Sequence, residues 1–337
     1  MTAVTNVRQP TVEDVARLAG VSRQTVSNVL NSPYIVREQT RERVESAIAD
    51  LGYTPSMAAR RLRTGRSETI AVHLDPYAGG ISGVILDRFV HALTDRATAR
   101  GLRILVYAAS DPAEELQRLR ALREGGEIDQ VVLTGTAEAD PRTTWLRDAR
   151  VPFVAFGRPW AADGGVLAEA EHAWVDVDGA SGTQAATYFA RAAGDRVAFL
   201  GWPAGSATGD DRERGWREAA GTVDPALRWS ALESVSDARA VTERALATLQ
   251  VDAVVCASDT LAVGAHLAAI HAGRPDLVVV GFDNTPVAEA LGISSVEQRP
   301  ELVAEAILDL LTAGGTPEGV RSRLIEPELV VRTSEQI

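Results

Sequence analysis

The stretch Val12 to Asn31, VEDVARLAGVSRQTVSNVLN, constrains this chain most, because it reads as two short helices meeting at a tight corner. Apolar residues fall where two crossed helices must bury them: Val15, Ala19, Val21, Val26 and Val29, with the small Ala16 at the closest approach. Gly20 stands at the turn, where a left-handed backbone costs little without a Cβ. Thr11 and Ser22 are suited to cap the two helices. A corner of this kind pushes one helix into a DNA major groove while the other bridges the backbone. The competing reading is an ordinary helical hairpin inside a larger core.

With 337 residues, the chain has room for more than one domain and a sizeable core. Its 45% hydrophobic content and mean hydropathy of -0.03 describe a water-soluble globular protein. No apolar run is long enough to span a bilayer. The opening MTAVTNVRQP lacks the apolar region of a secretory signal, so a cytoplasmic location is expected. Cys256, the single cysteine, lies in the apolar run VDAVVCA and reads as a buried, inert thiol. All 34 basic residues are arginine, which removes P-loop lysines, Schiff bases and Ser-Lys dyads.

The net charge of -12 suits a DNA binder only once it is divided. Residues 1–66 hold ten arginines against six acids, a net of +4. The remainder holds 24 arginines against 40 acids, a net of -16. A basic head is drawn to phosphate while an acidic body is repelled from it.

A third helix is expected at about Thr40 to Leu51, where Val44, Ala47, Ile48 and Leu51 repeat at helical spacing before Gly52 stops it. Tyr53-Thr54-Pro55 then reads as an extended connector. Ser56 is placed to cap one more short helix, SMAARRLRTG, with Leu62 exposed. So short a helix is unstable alone and is expected to order only against DNA and a partner copy, which makes it a switch.

From Glu68 the pattern changes to strands alternating with helices. The strand-like runs are IAVHL, LRILVY, VVL, FVAF, AWVDV, VAFL, DAVVCA and LVVVGF, with amphipathic stretches such as Ile85–Arg100 and Leu261–His271 between them. This alternation implies two doubly wound α/β subdomains of parallel sheet. Ligands bind such sheets beyond the carboxyl ends of the strands. Asp75, Gly157-Arg158, Gly201-Trp202, Ser258-Asp259 and Asp283-Asn284 stand there. Ser258, Asp259 and Asp283 serve equally well as helix caps. Arg212, in DDRERGW near a helix start where the dipole disfavours a cation, is better explained as a planar fork aimed at a ligand. Trp202 and Trp160 offer flat faces for stacking or for ordinary loop packing.

These residues resemble the LacI/GalR (lactose-repressor/galactose-repressor) family of bacterial transcription regulators along nearly the whole chain. The head TVEDVARLAGVSRQTVSNVLN and the following TRERVESAIADLGYTPSMAARRLRTGRS are the most specific match. WVDVDGASGTQAA, RERGW, SDTLAVGA, VVVGFDN, SSVEQRP and PELVVRTS extend it through the body. The resemblance implies a helix-turn-helix head at 1–55, a hinge helix and linker at 56–67, and a periplasmic-binding-protein-like core at 68–337. It implies a first subdomain of about 68–168 and 299–326, a second of about 169–298 and 327–333, and three crossovers between them.

Residue by residue, the resemblance gives base reading to Arg23, Gln24 and Asn28, whose side chains pair with guanine and adenine edges. It gives phosphate contacts to Thr11, Ser22, Thr25 and Asn31, the minor-groove wedge to Leu62, and neighbouring hinge positions to Ala59 and Arg63. For the effector it points to Arg212, Asp283, Ser258 and Gln298. Together with the strand-end residues Asp75, Arg158, Trp160, Trp202 and Asp259, these make the candidate effector set. Three departures stand out: Ser258 and Gly157 fall where a lactose repressor carries asparagine and aspartate, and Arg37 replaces the usual serine cap of the third helix.

The function expected is an allosteric repressor binding a pseudo-palindromic double-stranded operator as a homodimer. Its effector is expected to be a sugar or sugar derivative, with a nucleobase or other metabolite as the alternative. The dimer is preferred to a tetramer because only Thr333–Ile337 follows the last expected strand, too little for a heptad helix. A solute-binding protein shares the core fold but not the DNA-binding head. An enzyme is disfavoured: His73, His91, His172, His266 and His271 are scattered, with no H-E-x-x-H, G-x-S-x-G or P-loop pattern, and no cofactor or metal is expected.

Overall fold

The structure is a computed structural model that describes residues 10–53, 66–74, 83–136, 140–160, 172–221, 224–312 and 322–332. It divides into two compact units, Met1–Ser67 and Glu68–Ile337.

The first unit is helical. Helices α1 (Val12–Ala19), α2 (Arg23–Asn31) and α3 (Glu38–Leu51) close around Val15, Val26 and Val44, each fully buried. Thr11 and Asp14 form a reciprocal capping box at the start of α1. Gly20 takes φ 65° and returns its N–H to α1, which makes the corner. Ser22 caps α2 by accepting from the Thr25 amide at 3.1 Å. Arg37 supplies no side-chain cap to α3, and that helix starts two residues before the expected Thr40. Tyr53, expected in a connector, packs into this core instead.

The second unit holds two sheets. Strands β1 (Thr69–Leu74), β2 (Arg103–Ala108), β3 (Gln130–Thr134), β4 (Phe153–Phe156) and β5 (Ala173–Val177) belong to the first. Strands β6 (Val197–Gly201), β7 (Arg228–Ser230), β8 (Ala253–Cys256), β9 (Val278–Phe282) and β10 (Ser294–Glu297) belong to the second. The last two strands separate: β11 (Ser322–Ile325) completes the first sheet in the order β11-β5-β4-β3-β1-β2, and β12 (Glu328–Val330) the second in the order β12-β10-β9-β8-β6-β7. All described pairings are parallel except β10 with β12.

Helices α4 (Gly83–Ala99), α5 (Pro112–Glu124) and α6 (Pro141–Asp148) pack on the first sheet, and α12 (Pro300–Thr312) returns to it. Alternation along β1 explains the two-sided cover. Ile70 and Val72 face Phe89 of α4 and Ile307 of α12, while Ala71 faces Leu119 and Leu146 of α5 and α6. The second sheet is covered by α7 (Gly179–Ala190), α8 (Ala207–Ala220), α9 (Val235–Leu246), α10 (Asp259–His271) and α11 (Pro286–Ala290). Among the described residues the chain passes between the sheets after Val177, after Glu297 and after Ile325.

The expected subdomain boundary near residue 168 needs correction. AWVDV is β5 of the first sheet, with Trp174 in register with Ser322 of β11 and Ala155 of β4. The first crossover therefore follows Val177. Nothing in the strand's own pattern distinguishes the sheets, since an apolar parallel strand pairs equally well in either.

Candidate nucleic-acid interface and effector cleft

On the first unit, α2 presents Arg23 and Gln24 to solvent and half-buries Asn28. Gln24 Nε2 donates to Asn28 Oδ1 at 2.9 Å, so two of the three expected base readers form one polar edge. Arg23 Nη1 is ion-paired with Glu13 Oε1 of α1 at 2.8 Å, both side chains more than half exposed. Ser22 and Thr25 share a hydroxyl–hydroxyl bond of 2.9 Å, and Asn31 Nδ2 donates to the Ser27 carbonyl one turn back. The Thr11 hydroxyl donates to Asp14 at 2.7 Å. Ala59, Leu62 and Arg63 lie outside the described residues.

In the second unit, the carboxyl ends of the two sheets enclose a cavity of about 310 Å³. Of the expected effector residues, Trp160, Trp202, Arg212, Asp283 and Gln298 line it. Arg212 stands in the second turn of α8, which approaches α7 closely because Gly215 has no side chain: a Cβ there would lie 2.0 Å from the Ala180 carbonyl. Its guanidinium sits 3.7 Å from the centre of the Phe282 ring and 5.4 Å from that of Trp202. Nη1 donates to the Ala257 carbonyl and lies 3.8 Å from Asp283 Oδ1. Nε–H has no acceptor among the described residues. Burial pulls this guanidinium below its usual range, against the opposing pull of Asp283, Asp176 and Glu233.

Asp283 follows the end of β9 with φ 117°, and Asn284 comes next at φ 50°. Consecutive non-glycine residues with positive φ hold strain, which gathers at functional sites. Gln298 Nε2 donates to Asp283 Oδ1 at 2.6 Å. Burial pushes the Asp283 carboxyl up to about 7, offset by Arg212 and by the Gln298 bond and reinforced by Asp259 and Glu233.

Three expected effector residues have other positions. Arg158 stands behind the cavity wall: Nε donates to Asp176 Oδ2 at 2.6 Å, and Nη2 donates to the Val177 carbonyl at 3.0 Å and to Asp211 at 3.3 Å. Ser258 caps α10 and donates to Glu233 at 2.8 Å. Asp259 is fully buried and accepts from the Thr285 amide at 2.7 Å, the Thr285 hydroxyl at 2.8 Å and the Ser295 hydroxyl at 2.6 Å, so it clamps α10 to the start of α11 and to β10. None of these three is among the described residues that line the cavity, and each holds neighbouring elements together through the bonds just given. Asp75 lies outside the described residues.

Sequence reasoning missed Asp176, Thr134, Thr136 and Thr208, all of which line the cavity. The strand-end rule, applied to VVL, would have found Thr134 and Thr136. Asp176 carried its own signal as the one acid within the apolar run AWVDV. Arg142, buried on α6, donates to the Gly135 carbonyl at 3.0 Å and so fixes the turn between those two threonines.

The profile of bacterial regulatory proteins of the lacI family matches residues 11–56, and that of the periplasmic binding protein-like domain matches residues 186–335. The HTH-type transcriptional regulator CelR of Thermobifida fusca is 34% identical, covering 97% of this chain and 98% of that protein. A solved complex of transcriptional regulator CelR with cellobiose superposes with TM-score 0.67 at 30% identity, covering 96% of this chain and 99% of that one. The lac repressor dimer bound to operator and the anti-inducer ONPF gives TM-score 0.80 at 23% identity, covering 96% and 98%, a likeness of fold. None of the described helices is long and apolar enough to cross a membrane. The capped helical corner, the two-sheet body and a relative similar over its full length lead to one assignment: this chain belongs to the lacI family of bacterial DNA-binding transcriptional regulators, not to the enzymes.

Proposed function

We propose that the protein is a cytoplasmic repressor that binds a pseudo-palindromic operator as a homodimer and is controlled by a sugar or sugar derivative held between its two sheets. The observation that carries the effector reading is the cavity lining. Arg212, Asp283, Gln298 and Asp176 offer donors and acceptors beside the indole faces of Trp160 and Trp202. Hydroxyls on a ring with an apolar face need this combination of polar partners and flat aromatic cover. The unanswered Nε–H of Arg212 would find an acceptor in a ligand oxygen. The cellobiose complex of a relative supports the same class.

Two heads would read half-sites about one helical turn (~34–36 Å) apart, with Arg23, Gln24 and Asn28 on base edges and Ser22, Thr25, Asn31 and the α1 amino end on phosphates. Segment 56–67 would fold as a hinge helix between them, with Leu62 as its minor-groove wedge and Ala59 and Arg63 beside it. Because three strands of chain link the lobes, a ligand that binds one lobe orientation better shifts that hinge equilibrium; equal binding to both would switch nothing.

Operator gel shifts test the reading, using DNA from the protein's own promoter region in the presence of a sugar panel. A sugar that changes operator affinity at least tenfold is the expected result. Sequence-independent DNA binding, insensitive to every ligand, would refute it.

A further inference from the structure

We infer that Trp202 is a stacking platform for the ligand whose ring is set before any ligand arrives, and that Gly209 is the positioning residue that sets it. The inference rests on the sugar reading above and deepens it, by assigning the wall that meets the flat face of the sugar ring. Trp202 directly follows β6 and lines the cavity, where it is half-buried. Trp160 lines it too, but is buried, with the Arg158 guanidinium 5.0 Å from its ring centre.

Trp202 is held at its backbone and along both long edges of its ring. Its carbonyl accepts from Arg228 Nη2 at 2.6 Å, and Arg228 is tied to Glu213 of α8 by an ion pair of 2.7 Å. On one edge of the indole, Nε1 donates to Glu233 Oε2 at 2.6 Å. The opposite edge, at Cε3, rests on the first turn of α8 at Gly209. A Cβ at that position would lie 2.7 Å from Cε3, well inside van der Waals contact. One turn further along α8, the Arg212 guanidinium stands 5.4 Å from the ring centre.

A bond on one edge and close packing on the other leave the ring little freedom to turn. An aromatic face ordered in advance loses no rotamer entropy when a ligand stacks on it. Gly209 itself is buried and is not among the described residues that line the cavity, so it acts on the ligand only through Trp202. Helix formation does not call for glycine at this place, since alanine is the better helix former. The close approach of the indole does call for it. Any side chain at 209 has to displace the ring, because the helix backbone that carries it cannot yield as an indole edge can. The same methyl would press less severely on Ser206, whose Oγ would lie 3.1 Å away.

Calorimetric titration of the full-length protein tests the inference, with a panel of cellobiose, maltose, sucrose, other neutral sugars and nucleosides. The wild type is compared with Trp202→Ala, Gly209→Ala and the double variant, and each is melted in parallel. A neutral sugar is expected to bind the wild type, and each single variant to bind it at least about tenfold more weakly. The unfolding midpoint of Gly209→Ala is expected not to fall, since the helix gains what the packing loses. In the Trp202→Ala background, Gly209→Ala is expected to change affinity by less than about twofold, because the ring it acts through is gone. In the ligand-free protein, the indole N–H resonance that disappears in Trp202→Ala is expected to shift in Gly209→Ala.

A sugar that binds Trp202→Ala as tightly as the wild type overturns the platform and leaves the sugar reading intact; that result does not depend on how Gly209→Ala folds. Equal losses from Gly209→Ala in both backgrounds, or an unmoved indole resonance, remove Gly209 from the role. A nucleoside that binds in place of any sugar, with the same coupling between the two residues, overturns the sugar reading and supports the platform. A panel with no binder overturns both.

Discussion

Arg158 and Asp211 belong to opposite lobes of the body and meet at 3.3 Å, joined through a guanidinium that also holds Asp176. The pair spans the first crossover, where Asp211 also accepts from the Ala180 amide at 3.1 Å. Both side chains are almost wholly buried. Asp211→Asn keeps the shape but removes the charge that Arg158 faces across the lobes. The expected cost is ~1–3 kcal/mol, read as a lower thermal unfolding midpoint. An unchanged midpoint would mean the contact contributes nothing to holding the lobes.

Arg23 faces a different competition. If Arg23 reads a guanine, as proposed, its exposed pair with Glu13 has to open first, and an exposed pair is worth only ~0–1 kcal/mol. Glu13→Gln should therefore leave stability nearly unchanged and tighten operator binding a few-fold, by freeing Arg23 and removing a negative charge near phosphate. Arg23→Ala should cost ~1–3 kcal/mol at one base position. Quantitative gel shifts on single-base operator variants read both. Equal weakening on every sequence would make Arg23 a phosphate contact.

Removing the cation of the cleft should abolish effector binding. Arg212→Met keeps an apolar stem against Phe282 but leaves Asp283 without its positive neighbour. Breaking a buried pair typically costs ~3–5 kcal/mol, less where the orphaned group takes a proton, as Asp283 readily does. The variant should thus fold better at pH 6 than at pH 8. Calorimetry with the bound sugar and melts at both pH values check the two halves.

Asp283 should also leave a signature in the pH dependence of stability. Its folded value of about 7 lies above the ordinary 3.8, so the native state holds this proton more tightly than the unfolded chain. The resulting stabilisation is complete below about pH 4 and is lost as pH rises through about 7. Subtracting the unfolding free energies of Asp283→Asn from those of the wild type isolates this effect from other titrating groups. The difference is expected to fall steadily between pH 4 and 7 and then level off. A flat difference would show that Asp283 holds its proton no more tightly in the folded state than in the unfolded chain.

Much of the fold was legible in the residues because it depends on short-range rules. The corner at Gly20, the caps at Thr11 and Ser22, and the buried valines of α1 and α2 are set by neighbours within about four positions. The eight apolar runs became strands for the same reason, while β7 and β10, three and four residues long, were too short and mixed to announce themselves. Among cleft residues, Arg212 and Asp283 were marked by local oddity, a cation near a helix start and an acid closing an apolar strand.

What the sequence by itself determined, then, is a basic helical head joined to an acidic body of parallel α/β sheet, with polar candidates at the strand ends. Tertiary structure alone decided which sheet receives AWVDV, and which strand-end groups face the cavity. Asp259 is taken up by Thr285 and Ser295, 26 and 36 residues away, and Arg158 by Asp211, 53 residues away. Asp283 lines the cavity even while bonded to Gln298, so what separates it from Asp259 and Arg158 is which way folding turns each strand end. That depends on partners brought near by folding, which periodicity and spacing along the chain do not encode.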